Sequence, residues 1–119
     1  MKLFYKDEVH ERQTNEMLEK FCLSSIKQDA ECGVFAYIVG AVYKVPHLIE
    51  CIDNEGSIDL DLLYEKIAVF SSSEKHMIRF ALQCFNGSID DVALSYVMRS
   101  LDDKNTKVIK QAIYTCFLV

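Results

Sequence analysis

Two observations predict an all-α fold. Apolar residues recur at helical spacing along most of the chain while strand-type alternation is absent, and helix-capping residues punctuate it at regular intervals. The expected architecture is one domain, residues 1–119, built as a compact bundle of six or seven helices around a central apolar helix at about 29–43. A chain of 119 residues, half of them apolar, can bury one real core. Four Gly, one Pro and many large aliphatic residues are far from a disordered composition.

The elements follow in order. Asp7 to Phe21 reads as a surface helix, with Val9, Met17, Leu18 and Phe21 as a narrow apolar stripe and Glu8–Arg12 and Glu16–Lys20 as pairs one turn apart. Asp29 is placed to cap the next helix, in which Glu31 is the one charged residue before Tyr43. A helix that is apolar all round is surrounded by others, and this one is the expected centre. Gly33, Ala36 and Gly40 would give it a notch for a neighbouring backbone. Pro46 opens a short helix to Ile52, "DNEGS" turns the chain, and Asp59 caps a segment reaching Phe70. Ser71 and Glu74 have capping-box spacing and start a helix that runs to Phe85. Asn86-Gly87 is expected to end it in the left-handed conformation. Ser88 and Asp91 repeat the capping spacing for a helix ending near Leu101, after a turn of three or four residues. "DDKN" precedes a last helix from about Asn105 to the end.

Composition narrows the function. A net charge of -5 disfavours phosphate-backbone binding and suits the cytosol. The first residues lack the apolar run of a secretion signal. The longest apolar run, Cys32 to Tyr43, has 12 residues where spanning a bilayer takes about 20. Five cysteines at 22, 32, 51, 84 and 116, with no CxxC pair, read as reduced core thiols. The sequence therefore points to a cytoplasmic protein with no membrane association, needing no metal, cofactor or disulfide.

Each candidate site competes with a plainer reading. "FNGSIDDV" resembles the corner of a DNA-reading helix-turn-helix, but the second helix would present Asp90 and Asp91 to a polyanion, so a structural corner is the better account. In "CIDNEGSIDLDL", Asp53, Glu55 and Asp59 fall at positions three, five and nine of a calcium loop. Cys51 and Leu62 occupy positions one and twelve, where carboxylates are needed. His47 and Cys51 share a helix face as a weak metal pair or dyad with no visible third group. From Lys44 to Lys66 the chain carries six acids and no intervening cation, making Asp53, Glu55, Asp59 and Asp61 a candidate acidic partner surface. In the last helix, Tyr114 and Leu118 point away from the core face set by Ile109, Ala112, Ile113 and Cys116, and they are the other candidate partner residues.

"SEKHMIRFALQCFNG" and "VMRSLDDKNTKVIKQAIYTCF", with the N-terminal "DEVHER", resemble a family of short uncharacterised proteins from Firmicutes and their phages. The matching positions are Ser73, Arg79, Ala81, Phe85, Asn86, Gly87, Leu101, Asp102, Asn105, Ala112 and Ile113; "AVFSS" stands where the family pattern has Trp-Gln-Thr-Gly. These are caps and core positions, which implies structural roles and carries over no activity. Arg79, in particular, is expected to pair with a carboxylate or helix carbonyls. The resemblance implies a phage- or prophage-encoded protein in the bacterial host cytosol. The reading that follows is a non-enzymatic protein that binds and modulates a host protein, such as an enzyme or a defence complex, without specific nucleic-acid binding. The alternatives are a nucleic-acid-associated regulator using the Lys104–Lys110 stripe and a small enzyme around His47 and Cys51.

Overall fold

The computed structural model describes residues 3–87, 90 and 92–118, except for the side chains of 117 and 118. The observed elements are α1 (Glu8–Lys20), a 3-10 turn (Ile26–Gln28), α2 (Ala30–Ala41), α3 (Val45–Leu48), a second 3-10 turn (Ile49–Cys51), α4 (Leu60–Ile67), α5 (Ser72–Phe85), α6 (Leu94–Arg99), α7 (Asp103–Ile113) and a π-helical turn (Tyr114–Leu118). The one extended pairing among the described residues is an isolated antiparallel bridge between Ile52 and Ile58. The all-α bundle expected from the sequence is therefore the fold, and its Cα radius of gyration of 12.8 Å is close to that of one domain of this length.

Helix α2 is the centre because it has no polar face to offer water. Every residue from Gly33 to Ala41 is buried, enclosed by α1, α5, α7 and the first 3-10 turn. Its glycines are contact points for backbone. A Cβ on Gly33 would lie 2.3 Å from the carbonyl oxygen of Ile26. One on Gly40 would lie 2.5 Å from Thr14 Oγ1 and 2.9 Å from Thr14 N. All three distances are below van der Waals contact, so the notch is real and α1 and the turn sit in it.

That approach changes what α1 buries. Asp7 is its N-cap, accepting from the His10 N–H at 2.9 Å, and the buried face is His10, Gln13, Thr14, Met17 and Leu18. Of the apolar stripe expected at Val9, Met17, Leu18 and Phe21, the last three are buried and Val9 is half-buried, but three polar residues that the stripe did not include also lie inside. They are tolerated because each finds a partner. Thr14 donates to the His10 carbonyl (2.8 Å), and Gln13 Oε1 accepts from the Val45 N–H (3.2 Å). His10 Nδ1 accepts from the Lys6 N–H (3.0 Å), which leaves Nε2–H to donate to the Tyr37 carbonyl (2.9 Å). The ion pair on this helix is Arg12–Glu16 (3.7 Å), not the expected Glu8–Arg12 or Glu16–Lys20.

Residues 3–7 form a strap over this contact. The Tyr37 hydroxyl donates to the Phe4 carbonyl, and the Tyr5 ring meets the His10 ring edge-on at 5.0 Å. Lys6 Nζ donates to the Ala41 carbonyl at the C-terminus of α2 (2.8 Å) and to Asn105 Oδ1 on α7 (2.9 Å). One side chain thereby caps the central helix and ties it to the last one.

Both α1 and α2 end in a left-handed residue that is not glycine, Cys22 (φ 62°) and Tyr43 (φ 59°). The bonds Cys22 N–H to Glu19 O and Leu23 N–H to Leu18 O close α1, and Tyr43 to Gly40 with Lys44 to Val39 close α2, the two-bond Schellman pattern. A side chain in this region costs about 1–2 kcal/mol. At Tyr43 the hydroxyl offsets part of that by donating to the Asp7 carboxylate. This closure stops the central helix at Ala41, short of the expected limit near 43.

Several boundaries differ from expectation. Helix α4 stops at Ile67, before Phe70. The Ser71–Glu74 capping box is complete at α5, but Asn86 beyond it is extended (φ −158°, ψ 112°), not left-handed. The following helix begins only at Leu94, behind Ala93 with no side-chain cap. The three- or four-residue turn and the helix starting just after Ser88 are therefore corrected; Ser88 and Asp91 lie outside the described residues. Asp102, accepting from the Asn105 N–H (2.8 Å), starts α7 before Asn105.

Burial lowers the pKa of His10 to about 4, with the nearby Lys6 charge acting in the same direction and the Tyr37 carbonyl opposing it. Between that value and about 6.5 the unfolded chain holds a proton on His10 that the folded chain does not. Stability from this group is therefore complete above about pH 6.5 and lost as pH falls to 4, by about 3 kcal/mol. Urea unfolding across this range should show that decline, and His10→Gln, weaker at neutral pH, should show a flatter profile. Equal pH slopes for the two proteins would contradict the assignment.

Candidate interaction surface

Asp90 explains why α6 starts late. The Asp90 side chain is 5% exposed and its carboxylate is turned inward, where Arg79 Nε (3.1 and 3.2 Å) and Nη2 (3.0 Å) hold it in a forked pair. The Tyr64 hydroxyl donates to it from α4 (3.0 Å) and the Val92 N–H from the following chain (3.1 Å). Burial alone would raise the Asp90 pKa, but the Arg79 pair and the Tyr64 bond outweigh it and hold the carboxyl below its usual value. Arg79 is thus the structural residue expected from the sequence. A base-reading role for this corner would need Asp90 at the start of the second helix; it lies four residues before α6 and faces the protein.

The latch fixes how α6 lies on α5. Only Val97 of α6 is buried. Tyr96 meets the His76 ring at 6.1 Å, and His76 Nδ1 is 3.2 Å from Ser100 Oγ. Met98 is partly buried against the core, while Tyr96 is 66% exposed and Leu94 43%; Tyr64 on α4 is 37% exposed, Arg99 is exposed and Lys75 on α5 is half-buried. Aromatic residues and arginine dominate the energetics of protein interfaces, and Tyr96 is the most exposed aromatic among the described residues.

The residues singled out from the sequence are distributed differently. Asp53 Oδ1 accepts from the Glu55 and Ser57 N–H groups (2.8 and 2.9 Å), shaping the turn at Gly56 (φ 81°), and Asp59 caps α4 through the Leu62 N–H (3.1 Å). Glu55 and Asp61 are exposed, and Glu50 is paired with Lys66, so a cation that borders this stretch in sequence reaches into it in space. Tyr114 is 41% exposed; the side chain of Leu118 lies outside the described residues. Cys116, on the same turn, points inward and its thiol donates to the Cys84 carbonyl (3.7 Å). Lys104, Lys107 and Lys110 are exposed along α7.

His47 and Cys51 are not brought together as a dyad. His47 is exposed with its ring 6.4 Å from Phe70, and Cys51 is buried, which raises its thiol pKa. Burial likewise raises Cys32, to about 11, and both Cys84 and Cys116. Among the described residues no group of three or more His, Cys, Asp or Glu is placed to hold a metal, and no helix is long and apolar enough to cross a membrane.

Fold and surface together define a small all-α bundle that displays an aromatic face on a short outer helix. No family model, curated protein or solved structure matches the chain, which leaves its own surfaces to carry the functional reading.

Asp90→Ala removes one partner of the latch and leaves Arg79 and Tyr64 facing its place. Arg79 is partly solvated, so the loss should be about 1–2 kcal/mol in urea unfolding. A change below about 0.5 kcal/mol, the level of an ordinary surface substitution, would mean that the pair does not hold α6 in place.

Proposed function

We propose that the chain works by binding another protein, with Tyr64 of α4 and Leu94 and Tyr96 of α6 as its docking face. The observation that carries this is the exposure of Tyr96 and Leu94 on a helix anchored by the buried Val97 and the Arg79–Asp90 pair. Water gives an apolar side chain nothing there, whereas burying it fully against a partner is worth roughly 1.5–3 kcal/mol. The strongly shifted groups support a non-enzymatic role, since each is explained by packing: both His10 ring nitrogens and the Tyr37 hydroxyl are engaged by backbone, and burial raises the thiols instead of activating them. The host-protein part of the proposal, a phage or prophage product modulating a bacterial enzyme or defence complex in the cytosol, rests on the family resemblance. Tyr114 remains a second exposed aromatic. Asp53 and Asp59 rank lower, because their carboxylates already serve the backbone.

Leu94→Ser with Tyr96→Ser should leave the urea midpoint nearly unchanged, because neither side chain is in the core. Quantitative capture from a Firmicutes lysate should then lose its specific partner by about tenfold or more relative to the unaltered protein. Undiminished capture would move the docking face elsewhere.

A further inference from the structure

We infer that the partner presents an acidic segment carrying apolar side chains to the α5–α6 face. This deepens the docking reading and rests on it. The chain as a whole is acidic, and Asp61 and Glu65 are exposed beside Tyr64 on α4, but among the described residues α5 and α6 present no unpaired acid. Helix α6 contains no acid, and the one acid of α5, Glu74, is paired with Lys44 at 3.8 Å. Asp90 is buried and neutralised by Arg79. Lys75 and Arg99 have no ion-pair partner among the described residues.

Helical spacing places one of these charges, Arg99, beside the aromatic. Tyr96 and Arg99 are three apart on α6 and so share a side of it, the Tyr96 ring meets His76 of α5 at 6.1 Å, and Lys75 is a further cation on α5. An incoming carboxylate would find Arg99 beside an apolar contact at Tyr96, a combination suited to an acidic peptide with Leu or Phe among its acids. Nucleic acid is disfavoured, since phosphate-driven affinity grows with the number of cations engaged and, among the described residues of α5 and α6, two cations lack an ion-pair partner.

The test is selection of a displayed random-peptide library on the intact protein, followed by titration of a synthetic selected peptide. Enriched peptides should carry excess Asp and Glu with interspersed apolar residues, and affinity should fall as sodium chloride is raised. Tyr96→Ser and the double change Lys75→Glu with Arg99→Glu should each weaken binding about tenfold or more, with helical circular dichroism retained. Neutral or basic selected peptides, or salt-independent binding by the unaltered protein, would overturn the charge inference even if the charge-reversed variant failed to fold. Loss with Tyr96→Ser but not with charge reversal would overturn it while leaving the docking face standing. Indifference to Tyr96→Ser would overturn both. A single-stranded oligonucleotide that binds more tightly than any selected peptide would replace the protein partner with nucleic acid.

Discussion

The close approach of α1 to α2 at Gly40 is the constraint on which the rest of the structure depends. With no side chain at that position, Thr14 and the His10 carbonyl come within the space a methyl group would need. The same happens at Gly33, where the Ile26 backbone fills the notch. Backbones this close put the polar groups of α1 inside, so His10, Gln13 and Thr14 must be satisfied by backbone partners, and they are. The strap at 3–7 follows from the same contact: the Lys6 N–H completes His10, and the Lys6 ammonium closes the end of α2 and reaches α7. One short interhelical distance thus sets the composition of a helix face and the course of the N-terminal chain.

The second organising element is a buried charge. A carboxylate at Asp90 is tolerated because four donors surround it, from α4, α5 and the chain leading to α6. Satisfying it uses up the chain that would otherwise begin a helix, leaving α6 only six residues with one buried side chain. A helix so short cannot turn all its apolar residues inward, and Leu94 and Tyr96 are left facing out. The exposed face is therefore a geometric consequence of the latch, held in place by a pair whose rupture would leave a charge without a partner.

Elements with local signals were legible in the sequence. The caps at Asp29, Asp59 and Ser71, the apolar centre and the glycine notch all follow from residues within a few positions of one another. What failed depended on distant partners. The Asp90 side chain reads as a surface charge until Arg79 and Tyr64 are brought to it. His10 reads as a polar-face residue until Tyr37 and Lys6 meet its ring. The Ser88 capping pattern was a sound local signal for a helix, but Asp90, turned inward, leaves Leu94 as the first helical residue. The candidate surface was missed for that reason: with a longer helix, Tyr96 has no special exposure. The signal available was "LSYVMR" itself, in which a single turn and a half around Val97 leaves Leu94 and Tyr96 unaccommodated.

The most direct test of the account is the unfolding free energy of Gly40→Ala. Intrinsic helix propensity favours alanine over glycine in a helix interior by about 1 kcal/mol, so with open space at the site the protein would gain stability. The packing described here predicts the opposite sign, because the new methyl group meets Thr14 Oγ1 at 2.5 Å and its backbone nitrogen at 2.9 Å. Overpacking of this kind costs typically about 1–3 kcal/mol, and α1 would have to move away from α2 to relieve it. A fall of at least about 1 kcal/mol supports the central contact. A rise of about 1 kcal/mol would contradict it and place α1 farther from α2 than described.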